Sequence, residues 1–279
     1  MSDFAERPAA SAWPRRFAAT RRPGVPHGRP WTGWILPALI IVAWQASASL
    51  GWIADTIMPS PYAVAAAAWR LTLSGELLQN LGVSTLRALV GLVVGGGVGL
   101  ALGLLNGLSR LSFSVTDTSV QMIRNVPHLA LIPLVIVWFG IDEGAKLFIV
   151  ALGVFFPIYL NTLHGVRSVD PQLIEMARSY GFRGWPLFRR VIWPAGLPSI
   201  LVGLRFALGV MWLTLIFAET IAAQSGIGYM AMQAREFMQT DVIVLSILLY
   251  ALLGKGADSL VKVLEHWALA WRPTLQGAP

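Results

Sequence analysis

Few residues in this chain can do chemistry. There are four histidines, His27, His128, His164 and His266, and none stands at metal-ligand spacing from another. There is no cysteine, which excludes disulfides, thiol catalysis and cysteine-ligated metals. The glycines from Gly91 to Gly103 follow no strand and precede no lysine, so they do not make a phosphate-binding loop. A membrane enzyme needs clustered histidines or carboxylates, and these are lacking. No catalysis, cofactor or metal is expected. What remains is charge placed inside apolar sequence: Arg87, Arg124, Arg205 and Glu219 lie in or near apolar runs. A charge at the bilayer centre costs roughly 2.5–3.5 kcal/mol on insertion scales. Such residues face a cavity or a partner, and their chemistry is binding.

Arg124 and His128 are four residues apart, so on a helix they share a face. Pro127 and Pro133 make that helix irregular, and irregular backbone at membrane depth is tolerated where it lines a cavity. A cationic surface there suits an anion. The competing reading is structural pairing for Arg124 and helix packing for His128. Arg87 is near the outer end of its span, where snorkelling is favoured. Arg205 lies seven residues past Pro198, about 10 Å into a helix, and either lines a pathway or pairs structurally. Glu219 falls near the outer face, where it helps shape an outer gate. Arg124, His128, Arg205 and Glu219 are thus the candidate pathway-lining residues.

The elements that must position these residues are membrane spans. The chain has 279 residues, 56% hydrophobic and 13% charged. That is about half the charged share of a soluble domain. The apolar residues come in runs near the ~20 residues that cross a bilayer. Six spans are expected, at about residues 31–50, 85–108, 120–139, 146–163, 199–219 and 242–254, the last extending to Val261. Val64, Ala65, Ala68, Trp69 and Leu71 suit a short amphipathic helix on the membrane surface. In the second span, Gly91, Gly95, Gly99 and Gly103 repeat at four-residue spacing, which predicts a close-packing face. Leu260, Leu264, Trp267 and Trp271 predict an interfacial helix at the end, with Asp258 and Lys262 as a favourable pair.

The formal charge is +7. In a soluble protein this points to nucleic acid; in a membrane protein it holds loops in the cytoplasm, and no nucleic acid is expected. With both termini inside, the cytoplasmic side receives the arginine-rich tail, Arg110, Arg167, Arg178, Arg183, Arg189, Arg190, Lys262 and Arg272. The other side is slightly acidic. The first thirty residues are too long and too polar for a cleaved signal, so they read as a tail before an uncleaved first span.

The basic loop 167–198 carries more structure than a connector needs. Asp170 suits a helix N-cap and Pro171 the first helical position. A helix from Pro171 to Tyr180 then stops at Gly181. Pro186 starts a second short helix, and Pro194 ends it. Leu173, Met176, Tyr180, Phe182, Trp185, Leu187 and Phe188 are many large apolar residues for a solvated loop, and such patches mark partner surfaces. Folding of the loop onto its own membrane domain is the alternative.

Glu175, Met176, Ala177, Gly181, Val191 and Pro194 have the spacing of the coupling-loop signature of ATP-binding-cassette importer permeases. That signature is glutamate, two alanines, a glycine six residues after the glutamate, and a later isoleucine-x-leucine-proline. Met176, Val191 and Trp193 depart from it but stay apolar. The stretches Met58–Pro61, Arg124–Pro133, Trp138–Ile141 and Ala218–Tyr229 also resemble the nitrate, taurine and aliphatic sulfonate permeases, the last of these most of all. The resemblance covers nearly everything after residue 31. It implies an all-α type I importer permease fold of six spans in the bacterial inner membrane, with no enzymatic activity of its own. It implies a homodimer of permeases, two ATPase copies docking at Glu175 and its neighbours, and a periplasmic or lipoprotein solute-binding protein. Gly181 would permit the sharp turn. The cargo implied is an aliphatic sulfonate, with taurine, nitrate or another small oxyanion as alternatives. A secondary transporter is the rival class, but it has no use for such a loop and no internal repeat is evident. The organisation expected is a flexible basic tail over 1–30, a first span with a periplasmic interfacial segment over 31–82, a permease core over 83–264 and a C-terminal interfacial helix and tail over 258–279.

Overall fold

In a computed structural model of the protein, the described residues are 32–52, 54 and 57–271. The expected basic tail, Trp31, Asp55 and the residues from Arg272 onward lie outside them. All regular structure among the described residues is helical. The first helix, α1, spans Thr32–Ser49, with Pro37 inside it. Residues up to Ala43 belong to one compact unit and those from Trp44 to another. Within the second unit the order is α2 (Pro61–Leu73), α3 (Glu76–Leu108), α4 (Arg110–Arg124), a 3₁₀ turn (His128–Leu131), α5 (Ile132–Phe139) and α6 (Glu143–Arg167). Then follow α7 (Pro171–Ser179), α8 (Gly184–Leu187), a π turn (Phe188–Ile192), α9 (Trp193–Ala222), α10 (Ile227–Glu236) and α11 (Thr240–Ala268).

Among the described residues, four helical runs are long and apolar enough to cross a membrane: α3, α6, the run Gly184–Ile221, and α11. A fifth arises if α4 and the His128–Phe139 segment count as one span, although they meet at 80°. The third expected span is therefore not a straight helix. Pro127 disfavours helical backbone at Val126 and cannot donate to the ladder, so α4 ends at Arg124. Arg124 and His128 consequently share no helical face.

Helix α6 is the centre of the fold, with α3 along one side and α9 along another. The contact with α3 is made by the glycine stripe. A methyl group at Gly95 would lie 2.1 Å from the Ala151 carbonyl oxygen, and one at Gly99 would lie 2.6 Å from that of Phe155. Gly91 and Gly103 meet Val150 and Thr162 at 2.4 and 2.7 Å in the same sense. The packing face expected from the four-residue spacing is present, and it lies on α6. Across the other side of α6, Gly165 and Gly196 face each other, and Gly203 meets Asn161. Between these contacts, Ala88, Val150, Val154, Ala207, Met211, Leu215 and Val261 form the buried core.

Helix α2 is not a purely interfacial helix. Ser60 caps it, accepting a hydrogen bond from the Ala63 N–H at 3.1 Å. Its Val64, Ala67 and Leu71 face inward onto Ile227, Met230 and Leu245, while Trp69 stays exposed. The segment expected as a separate terminal helix is the last part of α11. The Asp258–Lys262 pair forms there at 2.8 Å. The outward faces of α3, α9 and α11 expose Val93, Val98, Phe206, Leu213 and Leu252, which suits hydrocarbon and not water.

Gly95→Ala is expected to destabilise the protein by more than ~2 kcal/mol, at the upper end of overpacking costs, because backbone has to move. Gly97→Ala, with open space around it, is expected to be neutral. Thermal unfolding of the two variants in detergent checks this; equal midpoints would contradict the close-approach account.

Candidate functional site

The loop after α6 is built as a short rigid helix. The Asp170 carboxylate accepts the Gln172 N–H at 2.8 Å, and Pro171 occupies the first helical position. At the other end Gly181 takes φ +85°, a left-handed conformation strained for any residue with a β-carbon. The Phe182 N–H donates to the Ala177 carbonyl and the Gly181 N–H to that of Arg178, at 3.0 and 2.9 Å. This pair of bonds is the Schellman closure. Both ends of α7 are thus fixed where the residues predicted.

Ala177 is buried beneath α7, whereas Glu175, Met176 and Tyr180 are exposed. Trp185 on α8 is also exposed, and its ring lies 5.2 Å from that of Phe188. Leu173 is exposed as well, while Leu187 is buried and Phe182 and Phe188 are half-buried, so part of the apolar surface faces outward and part lies against the membrane body. Pro194 does not end a helix. The run from Gly184 continues through it into α9, so Val191 and Pro194 are half-buried inside one long helix. The π turn makes this possible: Trp193 N–H reaches back five residues to the Phe188 carbonyl. The wider turn makes room just where a proline ring would otherwise crowd the preceding backbone.

At the opposite end of α9 the structure gathers charges that the sequence reading kept apart. Glu219 is fully buried. Its Oε1 accepts from Arg87 Nη1 at 2.8 Å, and Ser84 Oγ lies 2.8 Å from both carboxylate oxygens. Its Oε2 also accepts from the Gly228 N–H and the Tyr250 hydroxyl at 2.9 and 3.0 Å. Arg87 does not snorkel: it is 4% exposed, and its Nε and Nη2 donate to Glu143 at 2.6 Å each. Its remaining donors reach the Ser225 carbonyl and hydroxyl. Lys146 completes the group by donating to Glu143 at 2.9 Å. Two cations and two carboxylates make the group neutral as a whole, with Glu143 at its exposed edge.

The network fixes the turn between α9 and α10. Gly226 has φ +111°, and a β-carbon there would lie 2.4 Å from Glu219 Oε1. Its N–H donates to Asn80 Oδ1, and the Ile227 N–H donates to Ser84 Oγ, both at 2.8 Å. Asn80, Ser84, Glu143, Lys146, Ser225 and Tyr250 were not singled out from sequence. The signal was Glu219 itself: a carboxylate in an apolar helix needs a counter-charge, and Arg87 is the basic residue of the apolar run at the same end.

Arg205 pairs structurally, with Asp258 at 3.3 Å and with Glu265. His128 Nε2 stands 3.5 Å from Thr214 Oγ1 on α9. Arg124 is exposed at the end of α4, and its side chain makes no ion pair or hydrogen bond among the described residues. Of the charges in apolar runs, it alone is left with an unpaired side chain.

Arg87→Met strands the Glu219 carboxylate without its cation and is expected to cost about 3–5 kcal/mol. Arg87→Met with Glu219→Leu is expected to recover part of that loss. A double-mutant cycle from unfolding midpoints measures the coupling; additive single losses would show that the two side chains do not act as a pair.

The model of the family described as binding-protein-dependent transport system inner membrane component matches residues 94–269. SsuC of Escherichia coli (strain K12), named as an aliphatic sulfonates transport permease protein, is 62% identical over 86% of this chain and 91% of its own. The protein of the same name from Bacillus subtilis (strain 168) is 44% identical over 93% of this chain and 94% of its own. The taurine transport system permease protein TauC of Escherichia coli (strain K12) is 34% identical over 86% and 89%. A chain of the solved MetNI methionine ABC transporter, in inward-facing conformations, covers 69% of this chain and 95% of its own at 19% identity and a TM-score of 0.49. With more than half of the chain matched and relatives of this identity at nearly full length, the chain belongs to the family of inner membrane components of binding-protein-dependent transport systems.

Proposed function

We propose that this permease carries aliphatic sulfonates across the bacterial inner membrane, and that α7 is where the ATPase docks. The observation that carries the docking assignment is a helix capped at both ends that presents Glu175, Met176 and Tyr180 outward. A rigid helix transmits a displacement, whereas an unstructured loop absorbs it. Ala177 and Gly181 set its seat and its stop; Val191 and Pro194 join it to α9. The sulfonate assignment follows the names of the two relatives at 62% and 44% identity.

In this reading two copies of the chain form the pathway, two ATPase copies dock on them, and a solute-binding protein delivers the cargo outside. α1 and the bent α4–α5 segment complete six spans, with both termini cytoplasmic. ATP binding drives alternate access and hydrolysis resets it. Within the membrane, Arg124 is the cation that meets the anion. It is unpaired and stands at a break in the helix, whereas Arg87, Arg205 and Glu219 are consumed by structural pairs. His128, beside Thr214, lines the same break.

Reconstitution in vesicles with the ATPase and binding protein tests each part. ATP hydrolysis is expected to rise with alkanesulfonates more than with taurine or nitrate; stimulation by nitrate alone would overturn the cargo. Glu175→Ala is expected to lower coupled uptake about tenfold, the effect of losing ~1.4 kcal/mol of docking energy. Unchanged coupling would refute the docking assignment. Arg124→Gln is expected to cut uptake in a fully assembled complex, and normal uptake there would remove it from the pathway.

A further inference from the structure

An apolar groove of about 710 Å³ lies between the end of α3 and the α8–π segment. Its walls are Leu104, Leu105 and Leu108 on one side and Trp185, Leu187 and Phe188 on the other. No polar side chain lines it. Its rim is of a different character. Arg110 follows the α3 wall by two residues, Arg183 immediately precedes the opposite wall, and Arg189 immediately follows Phe188. All three are exposed, and none of their side chains has an ion pair or hydrogen bond among the described residues. No aspartate or glutamate occurs from Leu77 to Thr116 or from Arg178 to Arg205, so neither wall supplies a counter-charge.

We infer that this groove is a binding site for an anionic phospholipid, with an acyl chain between α3 and α8 and the phosphate among Arg110, Arg183 and Arg189. Three features meet there. The interior is hydrocarbon-like, which suits a chain and not a polar peptide. The sequence places three exposed guanidiniums, without partners among the described residues, next to the walls; a guanidinium fork suits a phosphate, and basic clusters beside spans select anionic headgroups. Exposed Trp185, against Phe188, has the amphipathic ring that settles at the headgroup level. A lipid so placed contacts the segment that continues from α7 into α9. It would brace the coupling helix, which makes the transporter sensitive to the anionic lipid content of its membrane. The inference rests on the cytoplasmic, ATPase-facing placement of the 167–198 loop. The Glu175 variant tests that placement separately, because it changes coupling and not lipid retention.

The test uses the assembled transporter extracted from vesicles of equal parts phosphatidylglycerol and phosphatidylcholine. Native mass spectrometry then counts the lipids that stay bound. Phosphatidylglycerol is expected to be retained over phosphatidylcholine, and R110A/R183A is expected to weaken that retention by about tenfold or more. Ala101→Trp, which fills the groove, is expected to abolish retention of the same lipid. Should that variant fail to fold, the exposed arginine variants still decide the matter. The chain has no cysteine, so Leu105→Cys can carry a single photoactivatable maleimide. Adducts with phosphatidylglycerol support the site. Equal retention of both lipids, retention unchanged in R110A/R183A, or adducts with the ATPase, a second permease copy or the chain's own N-terminal tail would each overturn it.

Discussion

The close approach of α6 to its two neighbours is the constraint on which the rest of the structure depends. In hydrocarbon, helices gain nothing by hiding apolar side chains from each other's surroundings, so association relies on intimate packing and on polar links. Glycine supplies the first. With Gly95 against the Ala151 carbonyl and Gly99 against that of Phe155, α3 and α6 meet backbone to backbone. Gly165, Gly196 and Gly203 do the same for α6 and α9. In water so many helix-interior glycines would be a liability; in this setting they let the three central helices touch.

Polar links supply the second, and they sit where the packing ends. The Arg87–Glu219–Glu143–Lys146 group closes one end of the α3–α6–α9 trio. Tyr250 joins α11 to it, and the backbone N–H groups of residues 226–228 join the start of α10. Five helices are thereby held by one carboxylate and its partners. Toward the opposite end of α3, Asn106 does comparable work on a smaller scale. Its side-chain amide contacts Thr116 on α4 and Tyr159 on α6, and the Arg167 guanidinium donates to its backbone carbonyl. The centre is held by shape and the ends by hydrogen bonds.

Much of this was legible in the residues. The four-residue glycine spacing gave the α3 face, and Asp170, Pro171 and Gly181 gave both ends of α7, because capping chemistry is local. The failures differ in cause, and only the first depends on a distant partner. Arg87 looked like a snorkelling arginine until Glu219 and Glu143, far along the chain, were seen beside it. Pro194 looked like a helix stop because a proline lacks its N–H; the π turn that accommodates it leaves no mark in the sequence. Arg124 and His128 looked like one face because spacing alone carries no information about the 80° bend between them. The capped helix α7 was legible and the charge network was not, for the same reason: the first is made of neighbours in sequence.

The unbroken run from Gly184 to Ile221 has a mechanical consequence. It is 38 residues long, or ~57 Å at the helical rise, nearly twice the thickness of the hydrocarbon core. Its foot adjoins α7 and its head carries Glu219. A rod of that length is a lever: a tilt of about 5° at the foot sweeps the head through ~5 Å, on the helical rise used above. The π turn lets Pro194 pass without ending the run, and Pro198 lies inside it as well, so the sweep is largest if neither point bends. Force applied on one side of the membrane would then be felt on the other by the same piece of backbone, with no relay of side chains between.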